Sequence, residues 1–138
     1  MKTSAILLFM VLAACQAKSQ NVLGADNNPF LNKNQVHLLD SLLQAQRQGF
    51  EFADKRISFI YGGSTGNAFQ SKSDFFNKNV LPWITKGETP SLQLVILTDA
   101  EKSRSGGYDA LVVAWAKVSF TQQRKDKMLK KLVTQRGL

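Results

Sequence analysis

Two runs, SLQLVILT (residues 91–98) and ALVVAWAKVSF (residues 110–120), decide how this chain folds. Both are almost continuously apolar instead of alternating, and that is the pattern of strands covered on both faces or placed at the centre of a sheet. A third run, RISFIY (residues 56–61), is short, β-branched and aromatic, and leads straight into GGSTGN (residues 62–67), a turn-rich loop. The polar segment DAEKSRSGGYD (residues 99–109) separates the first two runs and ends in the turn signal Gly106-Gly107. It is longer than a tight hairpin loop and has room for a helical turn.

Helical spacing surrounds these strands. Val36, Leu39 and Leu43, with Leu38 and Leu42, recur at the period of a helix over residues 33–48, which Asn32 and Gln35 can open as a capping box and Gly49 can close. Ser71 and Asp74 form a second such signal, ahead of Phe75, Phe76 and Val80. Pro82 is expected to end or kink that helix, leaving Trp83 and Ile84 to pack nearby. A last helix starts at Thr121, carries Met128, Leu129, Leu132 and Val133 on one side, and closes at Gly137.

The order is helix, strand, helix, strand, strand, helix, with no internal repeat. It predicts a single small α/β sandwich of two or three layers over residues 32–138. The first two strands, joined through a helix, are expected to be parallel by a right-handed crossover. The missing long helix before the third favours an antiparallel partner there. In outline the order is similar to the thioredoxin fold, but GGSTG stands where a redox motif needs cysteines, so the likeness bears on fold alone.

The N-terminus carries a different message. Met1, Lys2 and Thr3 give a short positive start, and residues 4–11 are apolar over a length that suits a secretory signal. A bilayer span needs about 20 apolar residues. Small residues follow, then the chain's single cysteine in Leu12-Ala13-Ala14-Cys15, then polar residues. These four residues resemble the lipobox of bacterial lipoprotein precursors. The resemblance implies cleavage before Cys15, removal of residues 1–14 as a signal peptide, and acylation of the Cys15 thiol and amine, for which only a thiolate nucleophile serves. The alternative is an ordinary secretory signal cut after Ala17. Gln16 is not acidic, which in the enteric version of the family implies the outer membrane, facing the periplasm, if the host has two membranes. Residues 15–31 then read as the lipidated cysteine and a flexible tether, polar and carrying Gly24, Asn27, Asn28 and Pro29.

Charge is unevenly placed. The chain's net charge is +8, and residues 117–138 hold Lys117, Arg124, Lys125, Lys127, Lys130, Lys131 and Arg136 against Asp126 alone. Beyond Lys2, the rest is nearly balanced. Lys125, Lys127, Lys130 and Lys131 therefore form a candidate docking face for an anionic lipid headgroup, a wall polymer or an acidic envelope protein. A solvated helix face accounts for the same pattern. Nucleic acid is not an expected partner, since no interleaving of aromatic and basic residues marks a strand-binding surface.

Catalytic signatures are weak. Gly62, Gly63, Ser64, Thr65, Gly66 and Asn67 follow a strand and precede a helix, so their N–H groups can face an anion. The spacing is neither G-x-G-x-x-G nor a P-loop, as no lysine follows Gly66. Glycines that relieve backbone strain in a turn explain it as well. Residues 62–66 do satisfy G-x-S-x-G, with Ser64 or Thr65 as nucleophile, but the next helix cap is at Ser71 and the sole histidine, His37, precedes Ser64. His37, between Val36 and Leu38, reads as a helix-surface or core-edge residue. Asp99 is a candidate site residue at a strand end, with Glu101 and Asp109 near enough to converge on one sheet edge. No metal-ligand spacing is present and no cofactor is expected. The leading expectation is a membrane-anchored binding or interaction module of the cell envelope. The alternative is a small enzyme or phosphate-ligand receptor built on the loop from Gly62 to Asn67.

Overall fold

The structure, a computed structural model of the chain, describes residues 28–62, 68–115 and 121–135. Four strands, β1 (Ile57–Gly62), β2 (Ala68–Phe69), β3 (Leu92–Ile96) and β4 (Ala110–Trp115), form one mixed sheet in the order β2-β1-β4-β3. Helices cover both faces, giving three layers. The small α/β architecture expected from the sequence is the one observed.

β4 takes the centre because it is apolar and buried along its whole length. Ala110, Val112 and Ala114 face one core, shared with Ile57 and Phe59 of β1 and with helices α1 (Lys33–Leu42) and α3 (Lys72–Phe75). Leu111, Val113 and Trp115 face the other, shared with Ile60, Leu97 and helix α6 (Gln122–Gln135). The expected parallel pairing of the first two long strands is corrected: β1 runs parallel to β4, from Ile57 against Ala110 to Gly62 against Trp115. β3 lies outside β4 and antiparallel to it. The antiparallel expectation for the last strand therefore holds, and β1 and β3 run in opposite directions on either side of β4. β3, with Gln93 mid-strand and Ile96 exposed, can tolerate an edge.

The helix caps follow the sequence closely. Asn32 Oδ1 accepts from the Gln35 N–H at 2.9 Å, and Gln35 Oε1 accepts in return from the Asn32 N–H at 2.9 Å. The first helix breaks at Leu43, so that the expected single helix is α1 followed by one short turn, α2 (Gln44–Arg47). Ser71 Oγ accepts from the Asp74 N–H.

Pro82 neither ends nor interrupts the next helix. After α3 the backbone widens into a π-helical turn (Phe76–Val80), then resumes as α4 (Leu81–Lys86) with Pro82 in its first turn. The register shift sends the Leu81 N–H to the Phe76 carbonyl, and Asn79 Nδ2 donates to the Phe75 carbonyl at 3.0 Å. Proline has no N–H to give the preceding turn, and a π turn just upstream removes the need for one. The stop comes at Gly87, whose φ of 72° is the left-handed conformation of a glycine cap. Phe59 stacks on Phe75 at 4.4 Å, and Phe75 meets Phe76 edge-on at 5.3 Å, which fixes this helix on β1.

The polar segment between β3 and β4 does hold a helix, α5 (Asp99–Arg104). Thr98, expected as the end of a strand, caps this helix instead, with Glu101 completing a capping box.

Candidate functional site

The pairing of β1 with β2 covers only Ile60 and Tyr61. Nearer its start, the outer edge of β1 meets two other segments. The Ile57 N–H donates to the Pro29 carbonyl, and the Gln70 N–H donates to the Phe59 carbonyl at 2.9 Å. A cleft of about 370 Å³ opens between these segments, with the start of β1 as its floor. That volume is in the range of small-molecule sites.

Lys72 spans the gap. Its residue is 7 % exposed, and Nζ donates to the Asn28 carbonyl at 2.9 Å and the Phe30 carbonyl at 2.8 Å. The ammonium thus clasps residues 28–30 against the domain. Arg56 lies on the other side. Its backbone N–H donates to Asp109 Oδ2 at 2.8 Å, and its guanidinium sits 5.3 Å from the centre of the Tyr108 ring, a cation–π contact. Gly107, at φ 87°, leaves room for it: a Cβ there would come within 3.1 Å of Arg56 Nη1.

Two side-chain atoms of the cleft residues stand out. Arg56 Nε and Gln70 Oε1 are both buried and have no hydrogen-bond partner among the described residues. A buried polar atom left in that condition costs about 1–3 kcal/mol. Folded chains keep few of them, and a functional cleft is one place they persist.

Asp109 is structural. Burial pushes its carboxyl up, but the Arg56 N–H, the hydrogen bond and charge of Lys102 and the charge of Lys55 together hold it below the usual aspartate range. Lys102 Nζ lies 3.2 Å from Asp109 and 3.9 Å from Asp99. The three carboxylates expected at one sheet edge are therefore not an open acidic cluster. Asp109 is tied to a backbone and a lysine, Glu101 caps α5, and the Asp99 side chain is fully solvated in the first turn. Among the described residues no group of three His, Cys, Asp or Glu residues is placed to hold a metal ion. His37 is exposed on α1.

Of the loop, only Gly62 is described, and it has a packing role. A Cβ on Gly62 would meet the Trp115 ring at 2.5 Å, so the indole lies on the bare backbone. Gly63, Ser64, Thr65, Gly66 and Asn67 lie outside the described residues, as do Cys15 and residues 1–27.

α6 separates its cations. Leu129 and Val133 are buried against the sheet, and Lys125 turns with them, its Nζ 5.5 Å from the Trp115 ring centre. Lys127, Lys130 and Lys131 are exposed, with Arg124 beside them. Of the four lysines expected to form a docking face, Lys127, Lys130 and Lys131 are exposed and Lys125 is half-buried. Among the described residues no helix is long and apolar enough to cross a membrane.

The sequence reading missed Arg56, Gln70 and Lys72. Only an adjacent strand signal marked Arg56, and no local pattern marked the other two. The described residues form a small three-layer α/β domain with a cleft lined by Arg56, Gln70 and Lys72 at one sheet edge and a helix rich in basic residues on one face. It belongs to the DUF8192 family, a domain of unknown function, whose model matches residues 27–134. No curated protein and no solved structure matches the chain.

Proposed function

We propose that this chain is a cell-envelope lipoprotein, anchored through Cys15, whose α/β domain is an interaction module that docks on anionic headgroups through α6. The division of α6 carries the reading: its apolar stripe is spent on the core while Arg124, Lys127, Lys130 and Lys131 stay exposed together. Leu12-Ala13-Ala14-Cys15 supplies the motif for an acyl anchor. The matched family region begins at residue 27, past that motif and most of the polar stretch that follows it. A tethered domain with a cationic face meets an anionic surface at high local concentration, and each basic residue near such a surface contributes about 1 kcal/mol.

The test is vesicle co-sedimentation of the chain carrying Cys15→Ser, so that an acyl anchor does not mask weaker contacts. Reversal of three charges with Lys127→Glu, Lys130→Glu and Lys131→Glu should lower the affinity for phosphatidylglycerol vesicles by about a hundredfold or more. Phosphatidylcholine vesicles should bind neither form. Equal retention of both forms on phosphatidylglycerol would remove α6 from the proposal and turn attention to a wall polymer or protein partner. Anchoring has its own check: the native chain should take up a fatty-acid label that Cys15→Ser abolishes.

A further inference from the structure

We infer that the cleft at the β1 edge binds a small ligand through a primary carboxamide, separately from the basic face of α6. In a strand the N–H and C=O of one residue point to the same side, and successive residues alternate. The Arg56 carbonyl accepts from the Asp109 N–H on the β4 side, so Ile57 and Phe59 turn their main-chain groups to the outer edge. There the Pro29 carbonyl takes the Ile57 N–H, and the Gln70 N–H takes the Phe59 carbonyl. The Ile57 carbonyl and the Phe59 N–H lie between these two bonds, and neither forms a hydrogen bond with any described residue.

This pair faces the cleft. Ile57, Ser58 and Phe59 all line it, yet the side chains of Ile57 and Phe59 belong to the core, with Phe59 stacked on Phe75, so the cleft meets their main chain. Ser58, 5 % exposed, adds a hydroxyl that also bonds to no described residue. Buried main-chain groups are almost always paired, and an unmet pair on the floor of a cleft calls for a partner from outside the chain.

The opposite edge of the sheet shows what fits such a pair. The Leu92 carbonyl and the Leu94 N–H have the same spacing, and the single amide of Gln46 meets both, at 2.8 and 2.9 Å. In place of such a side chain, the β1 pair has a cleft of about 370 Å³, in the range of small-molecule sites. A carboxylate would set an oxygen against the Ile57 carbonyl, and an ammonium would leave the Phe59 N–H unmet. A trans secondary amide points its N–H and C=O in opposite directions. A primary carboxamide carries donor and acceptor side by side.

Amide NMR of the ¹⁵N-labelled full chain reads the site directly. In the free chain the Phe59 N–H should exchange with solvent well before those of Ser58 and Ile60, which lie on the β4 side of the strand. Titration then uses three probes on one carbon frame: propionamide, N-methylpropionamide and propionate. We expect propionamide to shift the Phe59 N–H and the Ile57 carbonyl carbon saturably, with an affinity at least about fivefold above the other two, the factor one net hydrogen bond supplies. The Leu94 N–H, already held by Gln46, should stay in place. Exchange at Phe59 as slow as at its neighbours, no saturable shift with propionamide, or equal response to all three probes would each overturn the assignment. None of these results depends on α6 or on Cys15.

Discussion

The two edges of the sheet are finished in opposite ways. At the β3 edge, the side chain of Gln46 stands in for a neighbouring strand: Nε2 donates to the Leu92 carbonyl at 2.8 Å and Oε1 accepts from the Leu94 N–H at 2.9 Å. One amide thereby satisfies two backbone groups of a strand that would otherwise invite pairing with another chain. At the β1 edge, residues 28–30 and 70–72 approach without closing, Lys72 bridges them, and Arg56 Nε and Gln70 Oε1 are left without partners among the described residues. An edge built only for stability looks like the first. The second leaves two buried side-chain atoms without partners among the described residues, a cost that the first edge avoids.

The largest expected effect is at the bridge. Lys72→Met removes two hydrogen bonds from a buried ammonium and strands the Asn28 and Phe30 carbonyls, for a loss of about 3 kcal/mol in chemical denaturation. Faster amide exchange at Ile57, whose N–H donates to Pro29, should accompany it. Gly62→Ala comes next, since its Cβ would overlap the Trp115 ring. Overpacking of this kind costs about 1–3 kcal/mol, and the loss should appear together with a shifted indole fluorescence. Both changes weaken β1, but only Lys72→Met should also release residues 28–30 from the domain.

Gln46→Ala should cost about 1 kcal/mol, because its bonds are solvent-exposed. Its more telling outcome is self-association through the uncovered β3 edge, read by sedimentation. The smallest effect concerns Asp109. Its carboxyl titrates below the ordinary aspartate value, so the stability it adds is present above about pH 4 and is lost as pH falls through its lowered pKa. Asp109→Asn should cost under about 1 kcal/mol at neutral pH and should flatten the acid limb of the stability profile.

Local signals carried most of the fold. The Asn32 and Gln35 cap, the apolar run of β4 and the stripe of Leu129 and Val133 all depend on neighbours in sequence and stand where the pattern put them, although residues 116–120 of the expected strand lie outside the described residues. Strand order was not legible, because nothing within β1 or β3 states that β4 will lie between them. Pro82 misled for a related reason: the π turn that accommodates it has no local sequence signal, and it lies where Phe75 and Phe76 are both buried. Glu101 and Asp109 read as free carboxylates because their partners, the Thr98 N–H in one case and Arg56 and Lys102 in the other, appear only once the chain has turned. The cleft was hidden most completely. Arg56, Gln70 and Lys72 form no motif, and only the fold brings them to one edge.

The contrast between the edges comes down to three side-chain signals in a ¹⁵N-resolved NMR spectrum of the full chain: the Arg56 Nε–H and the amides of Gln70 and Gln46. On Lys72→Met we expect shifts of the Arg56 and Gln70 signals, whose residues share the cleft with Lys72, while the Gln46 amide, bonded to Leu92 and Leu94, stays in place. Equal movement of all three, or of none, would contradict the division of the sheet into an edge closed by Gln46 and an edge bridged by Lys72.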